Sequence, residues 1–229
     1  TVEISYITEL LINDLLLIKD DLLIVFDDFH LIHNKQISDI LLFLLEHSPP
    51  KIHIAIITRQ DPAIPISRIR SQNELVEIRS ADLSFSKNDI AELYNKKLRL
   101  SLSDKDIGLL ETKTEGWIAG LQLTALTFEG QEDISAYIEK IAGDNRYIMD
   151  YLMEEILSIQ NDEMREFLLC TSLFDRLSGS LCDAVLEKNN SQSLLESLEK
   201  SNMFLIPLDN ERHWFRYHHL FGDLLKQRQ

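Results

Sequence analysis

Leu22-Leu23-Ile24-Val25-Phe26-Asp27-Asp28 is the stretch that decides the fold of this chain. An unbroken apolar run with acidic residues at both ends is the pattern of a strand buried on both faces of a parallel sheet. The paired carboxylates then emerge at the strand's carboxyl end, the edge where open α/β sheets bind their ligands. Working outward, apolar residues recur at helical spacing over 3–19 (Ile4, Ile7, Leu10, Leu11, Leu15, Ile18) and again over 36–46. Pro49-Pro50 stops the second helix, and Ile52-His53-Ile54-Ala55-Ile56-Ile57-Thr58 reads as a second buried strand running into Arg59. After a loop containing Pro62 and Pro65, Leu75-Val76-Glu77-Ile78 reads as a third, short strand. Alternating helices and strands predict a parallel α/β layer.

Beyond Ala81 the strand signal stops for more than a hundred residues. Ser86-x-x-Asp89 and Ser103-x-x-Asp106 are helix N-caps with an acid in the first turn, where the helix dipole favours it. Helices are predicted over 86–98, 103–113, 116–128, 132–142, 144–159, 161–171, 179–187 and 191–201. Phe204–Leu208 and His213–Tyr217, flanking Asp209-Asn-Glu-Arg212, then give a β-hairpin, and 218–228 a closing helix. Helices followed by a hairpin from about residue 161 suggest a winged helix. The expected fold class is α/β plus α: a partial P-loop-type parallel sheet layer (1–80), a helical lid domain (81–160) and a winged-helix domain (161–229).

The chain has 229 residues, with 23 Lys and Arg against 38 Asp and Glu, for a formal charge of −15. No third of the sequence is net basic, and the last, 161–229, carries −3. A surface that binds DNA or RNA through its phosphates is not expected on such a chain. The longest apolar runs, Leu22–Phe26 and Ile40–Leu45, are too short to cross a bilayer, so a cytoplasmic protein without membrane contact is expected. Cys170 and Cys182 make no C-x-x-C pair and read as core thiols. The seven glycines stand at 108, 116, 120, 130, 143, 179 and 222. A complete phosphate-binding loop, which needs glycine backbone, is therefore absent from the first 107 residues.

Asp27 and Asp28 stand where a nucleotide's phosphates and magnesium ion would lie, or form a solvated acid pair after a core strand. Thr58-Arg59 places a guanidinium beside the same edge, as expected of a group that senses a terminal phosphate. His30-x-x-His33 beside the two aspartates could ligate a metal, although no zinc spacing is present. There is no Gly-x-Ser-x-Gly elbow for nucleophilic catalysis.

Five separated strings resemble, in order and spacing, the ATPase module of MalT-like, LuxR-family transcriptional activators, which are STAND-class P-loop ATPases. They are Leu-Leu-Ile-Val-Phe-Asp-Asp-Phe-His (22–30), Thr-Arg-Gln-Asp-Pro (58–62), Ala-Asp-Leu-Ser-Phe (81–85), Glu-Gly-Trp-Ile-Ala-Gly-Leu-Gln-Leu (115–123) and Arg-Tyr-His-His-Leu-Phe (216–221). The resemblance implies that Asp27 is the Walker B carboxylate holding magnesium and that Asp28 is the second acid, which orients or activates the attacking water. It makes Arg59, with Thr58, the sensor near the γ-phosphate. Gly116-Trp117 falls at a Gly-x-Pro-like motif near the adenine, without its proline, and Trp117 otherwise reads as a core aromatic. His218 would reach the β-phosphate of ADP and latch the winged helix, with His219 a capping or packing residue.

The resemblance further implies ATP or ADP with Mg2+ as cofactors of the full-length protein, with slow turnover. Without the G-x-x-x-x-G-K-[ST] loop this segment is expected to bind no nucleotide and to be inactive alone. Expected partners are further copies of the protein in the ATP state and a small-molecule inducer or regulatory protein acting through other domains. DNA would be bound only through a separate helix-turn-helix domain. The alternatives are a nucleotide-free protein–protein interaction scaffold on the same fold and a winged helix that binds DNA itself.

Overall fold

The computed structural model describes residues 4–128, 133–140 and 145–228. It divides into two compact units, Thr1–Val76 with Lys200–Asn202, and Glu77–Glu199 with Met203–Gln229.

The first unit runs α1 (Ile4–Leu16), β1 (Leu22–Phe26), a short 3-10 turn (Phe29–Leu31), α2 (Lys35–His47), β2 (Ile52–Ile56) and α3 (Ile66–Ser71). β1 and β2 pair in parallel, with Leu22 opposite Ile52 and Phe26 opposite Ile56. Asn34 caps α2 by accepting a hydrogen bond from the Gln36 amide, and Leu15 of α1 and Leu44 of α2 pack with Leu22, Ile24, Ile52 and Ile54. The burial of the strands differs from expectation. Leu22, Ile24 and Phe26 face the helices, whereas Leu23 is 60% exposed and Val25 51%. The pleat sends alternate side chains to opposite faces, and among the described residues only one face is covered. The expected third strand is also absent: 74–79 carries no ladder pairing and Val76 is 88% exposed. An apolar run becomes a strand only when a neighbour accepts its backbone groups, and among the described residues none pairs with this run.

The second unit begins with α4 (Ser80–Leu83) and α5 (Lys87–Ala91), the latter continuing as a π-helical turn (Glu92–Lys97). α6 (Asp104–Thr114), α7 (Ile118–Leu126) and α8 (Ile134–Lys140) follow. Both expected N-caps form as reciprocal capping boxes, Ser86 with Asp89 and Ser103 with Asp106. Ile90, Tyr94, Ile107, Leu110, Leu121, Phe128 and Ile138 make the core of this helical segment. The ends of the helices expected over 132–142 and 144–159 lie partly outside the described residues.

Next come α9 (Arg146–Leu152) with a π-helical turn (Met153–Leu157), α10 (Asp162–Thr171), α11 (Gly179–Leu186), α12 (Ser191–Lys200), β3 (Leu205–Pro207), β4 (Phe215–Tyr217) and α13 (His219–Gln227). β3 and β4 are antiparallel, and Leu177 adds a bridge to Phe215. Helix, bridge, two helices and a hairpin make a winged helix. Its wing is shaped by Asp209, whose carboxylate accepts from the His213 and Trp214 amides at 3.0 and 2.8 Å. Phe167, Leu177, Cys182, Leu195, Phe215 and Phe221 are fully buried in its core.

Candidate functional site

Parallel pairing fixes what meets at the carboxyl edge of the small sheet. The register continues past the strands: the Ile57 amide donates to the Phe26 carbonyl (2.8 Å) and the Phe29 amide to the Ile57 carbonyl (3.0 Å). Asp27 and Asp28 therefore leave β1 at the same edge where Thr58 and Arg59 leave β2. Asp28 adopts a left-handed conformation (φ 50°), which aspartate tolerates better than most residues, and its amide donates to Asp27 Oδ1 at 2.9 Å. Both carboxylates are exposed. The Thr58 hydroxyl donates to the Gln60 carbonyl at 2.7 Å, which shapes the loop that carries Arg59. His30 Nδ1 lies 3.9 Å from Asp28 Oδ1 and is buried without a hydrogen bond. Among the described residues no three His, Cys, Asp or Glu side chains converge as a metal site. A carboxylate pair of this kind suits magnesium held jointly with phosphate oxygens, since that ion uses one or two carboxylates and completes its shell from substrate and water.

The remaining two candidates, Trp117 and His218, belong to the second unit, and they touch. Their ring centroids are 6.1 Å apart, edge to face, and Phe204 lies against both at 5.0 and 5.4 Å. His218 is 7% exposed. Its backbone amide donates to the Phe204 carbonyl (2.8 Å) and its Nε2 pairs with the Thr114 carbonyl (2.9 Å). Nδ1 is buried without a partner. Burial pushes the imidazole below its ordinary value of 6.5, with the Glu115 charge opposing.

Glu115 and Arg216, which sequence reasoning did not single out, organise this corner. Arg216 grips the Glu115 carboxylate through both terminal nitrogens at 2.8 and 2.7 Å, and the His219 amide adds a third donor at 3.0 Å. Burial disfavours the charge, yet the Arg216 hydrogen bonds, the His219 amide and the nearby cations hold the carboxyl at about 2. The chain reaches this position through two successive left-handed residues, Glu115 (φ 50°) and Gly116 (φ 74°). A Cβ on Gly116 would come within 2.5 Å of the Phe85 carbonyl oxygen, so only glycine fits there. Gly120 is equally constrained: a Cβ would meet the Trp117 ring at 2.5 Å. The available signal was a pair of opposite charges, Glu115 and Arg216, at the starts of two separate motifs.

The chain is similar to known proteins over most of its length. Residues 153–229 match the family model for the MalT winged helix domain. The HTH-type transcriptional regulator MalT of Klebsiella pneumoniae is 33% identical over 209 residues, covering 90% of this chain and 23% of that protein. Its counterpart in Vibrio campbellii is 30% identical over 204 residues, 88% of this chain and 23% of the relative.

The chain is MalT-like.

A similar stretch occurs in another kind of protein: the serine/threonine-protein kinase PknK of Mycobacterium tuberculosis is 32% identical over 223 residues, 97% of this chain and 20% of the kinase. This MalT-like chain thus spans about a fifth of the length of the curated relatives it matches. α12 carries Glu196 and Glu199, both partly buried, the Glu199 side chain being 16% exposed, and ends on the exposed Lys200. Arg212 of the wing is paired with Glu199 at 3.1 Å, and its carbonyl accepts from Gln192 at 3.0 Å. No helix of the described residues is long and apolar enough to cross a membrane.

Proposed function

We propose that this chain is part of the nucleotide-responsive switch of a MalT-like transcriptional regulator. The observation that carries the reading is the in-register parallel pair that delivers Asp27-Asp28 and Thr58-Arg59 to one sheet edge. Asp27 would hold magnesium, directly or through water, and Asp28 would orient the attacking water. Arg59, assisted by Thr58, would sense the terminal phosphate. The bound Mg2+–nucleotide supplies the phosphoanhydride and the charge that distinguish the two states of the switch. On the winged-helix side, His218 is the group for a phosphate of the diphosphate form, and its partnerless Nδ1 supports that role. Trp117 packs on His218 and Phe204 and serves the switch by fixing that ring rather than by stacking on adenine. Exchange of ADP for ATP would shift the population toward a state that self-associates. An inducer, and DNA through a helix-turn-helix, would act in other parts of the full-length protein. The occurrence of one such stretch in both a transcriptional regulator and a kinase supports a switch whose output is set elsewhere.

One observation favours a second reading, a nucleotide-free interaction scaffold. The sequence holds no G-x-x-x-x-G-K-[ST] loop, so the amide donors that cradle phosphates do not come from this chain. Nucleotide titration of the natural polypeptide that contains this chain separates the two. The switch requires that Asp27→Ala weaken Mg2+-dependent ATP binding while His218→Ala weakens ADP more than ATP. Unchanged affinities in both variants would leave the scaffold.

A further inference from the structure

The contacts between residues 114–117 and 216–219 impose an order on His218. A carbonyl oxygen only accepts, so the 2.9 Å contact with Thr114 requires a hydrogen on Nε2. In the neutral ring Nδ1 is then a bare lone pair. It can donate toward an anionic phosphate oxygen only when a second proton makes the ring imidazolium. The charged and titratable groups that act on this imidazole are Glu115 at the end of α6, whose Oε1 also lies 3.9 Å from the His219 ring, Arg216 of β4 and His219 of α13. Trp117 and Phe204 pack edge-on against the ring at 6.1 and 5.4 Å and carry no charge. Of these groups only Glu115 favours the imidazolium. Its own place is set by the two-pronged grip of Arg216 and by the His219 amide, one residue beyond His218.

We propose that Glu115 and Arg216 are positioning residues for His218: Arg216 seats the Glu115 carboxylate as the counter-charge that allows His218, with Nε2 held by the Thr114 carbonyl, to present a protonated Nδ1 to a phosphate oxygen. The inference rests on the reading of His218 as a phosphate contact and names the chemistry by which that contact is made. Engagement of a diphosphate by His218 then takes up one proton at neutral pH, and an uncharged ligand of the same shape gains nothing from this ring. Arg216 acts on the histidine through Glu115 and touches no ligand.

The test uses the 229-residue chain without nucleotide, so that it is independent of the binding experiment above. Long-range proton–nitrogen correlation spectra of the histidine rings report tautomer and titration midpoint residue by residue, with His218→Gln assigning the signal. The expected result is a neutral His218 with hydrogen on Nε2. Its midpoint should fall by about half a pH unit or more in Glu115→Gln, which removes the counter-charge and keeps the shape. Arg216→Lys, which keeps charge but loses the fork, should let the ring sample both tautomers, and Glu139→Gln on the exposed face of α8 should change neither. A His218 with hydrogen on Nδ1, or a midpoint unmoved in a folded Glu115→Gln chain, overturns the proposal. Should these spectra come out as expected while His218→Ala leaves ADP affinity intact, the phosphate reading fails and the proposal with it, and only the electrostatic coupling of Glu115 to His218 is left.

Discussion

Replacing Glu115 by Gln should destabilise the second unit by an amount that depends on pH. Glu115 accepts two hydrogen bonds from Arg216 and one from the His219 amide. Its carboxyl is held at about 2 against an ordinary 4.5. At about 1.4 kcal/mol per pH unit, that difference bounds the contribution of the ionised group at roughly 3 kcal/mol. The two side chains remain 18% and 28% exposed, and solvent screens part of the attraction, so about 2 kcal/mol is the expected loss at pH 7. The sign follows from linkage. The unfolded chain binds the proton more readily, so the stabilisation is complete above 4.5 and is lost as pH falls through about 2. Both tryptophans, Trp117 and Trp214, lie in the second unit, so their fluorescence during urea unfolding follows that unit alone. The parent and the variant should differ in midpoint at pH 7 and draw together as the solution is acidified below 4.5. Equal midpoints at pH 7, or a gap that does not narrow with acid, would refute the reasoning.

Other outcomes follow from the same contacts. Gly116→Ala forces a Cβ to within 2.5 Å of the Phe85 carbonyl at φ 74°, and should destabilise by more than the ~1 kcal/mol that a glycine replacement gains where the backbone permits it, read as a lower thermal midpoint. Ser103→Ala removes the cap of α6 and should lower stability by about 1 kcal/mol in urea titration; no change would mean that Asp106 caps the helix alone. Leu23→Lys, on the uncovered face of the sheet, should shift the stability of the 229-residue chain by no more than about 0.5 kcal/mol. A large loss there would show that the face is covered. Cys182 is fully buried and its thiol is pushed up to about 11, first by burial and then by the Asp183 charge, so it should react with a thiol reagent only as fast as the protein unfolds, later than the half-buried Cys170.

Much of the local structure was legible because its causes are local. The two strands, the capping boxes at Ser86 and Ser103 and the hairpin around Asp209 each follow from side-chain period or from a polar group within reach of its own backbone. The run at 75–78 has the same apolar character and formed no strand, because strand formation is a property of pairs. The uncovered Leu23 and Val25 make the same point about burial: an apolar run reports what could be buried, and only neighbouring elements decide on how many faces.

The site divides along the same line. Asp27, Asp28, Thr58 and Arg59 could be named from their positions at strand ends, since a parallel pair delivers strand ends to one edge whatever else surrounds it. His218 and Trp117 could be named from their motifs. Their contact, and the tie from Glu115 to Arg216, join residues 101 positions apart, and no periodicity encodes a meeting at that distance. It arises where two left-handed residues turn the end of α6 onto the start of α13, so the sequence alone determined the elements and the candidate chemistry, and tertiary packing decided which charged groups face the buried histidine.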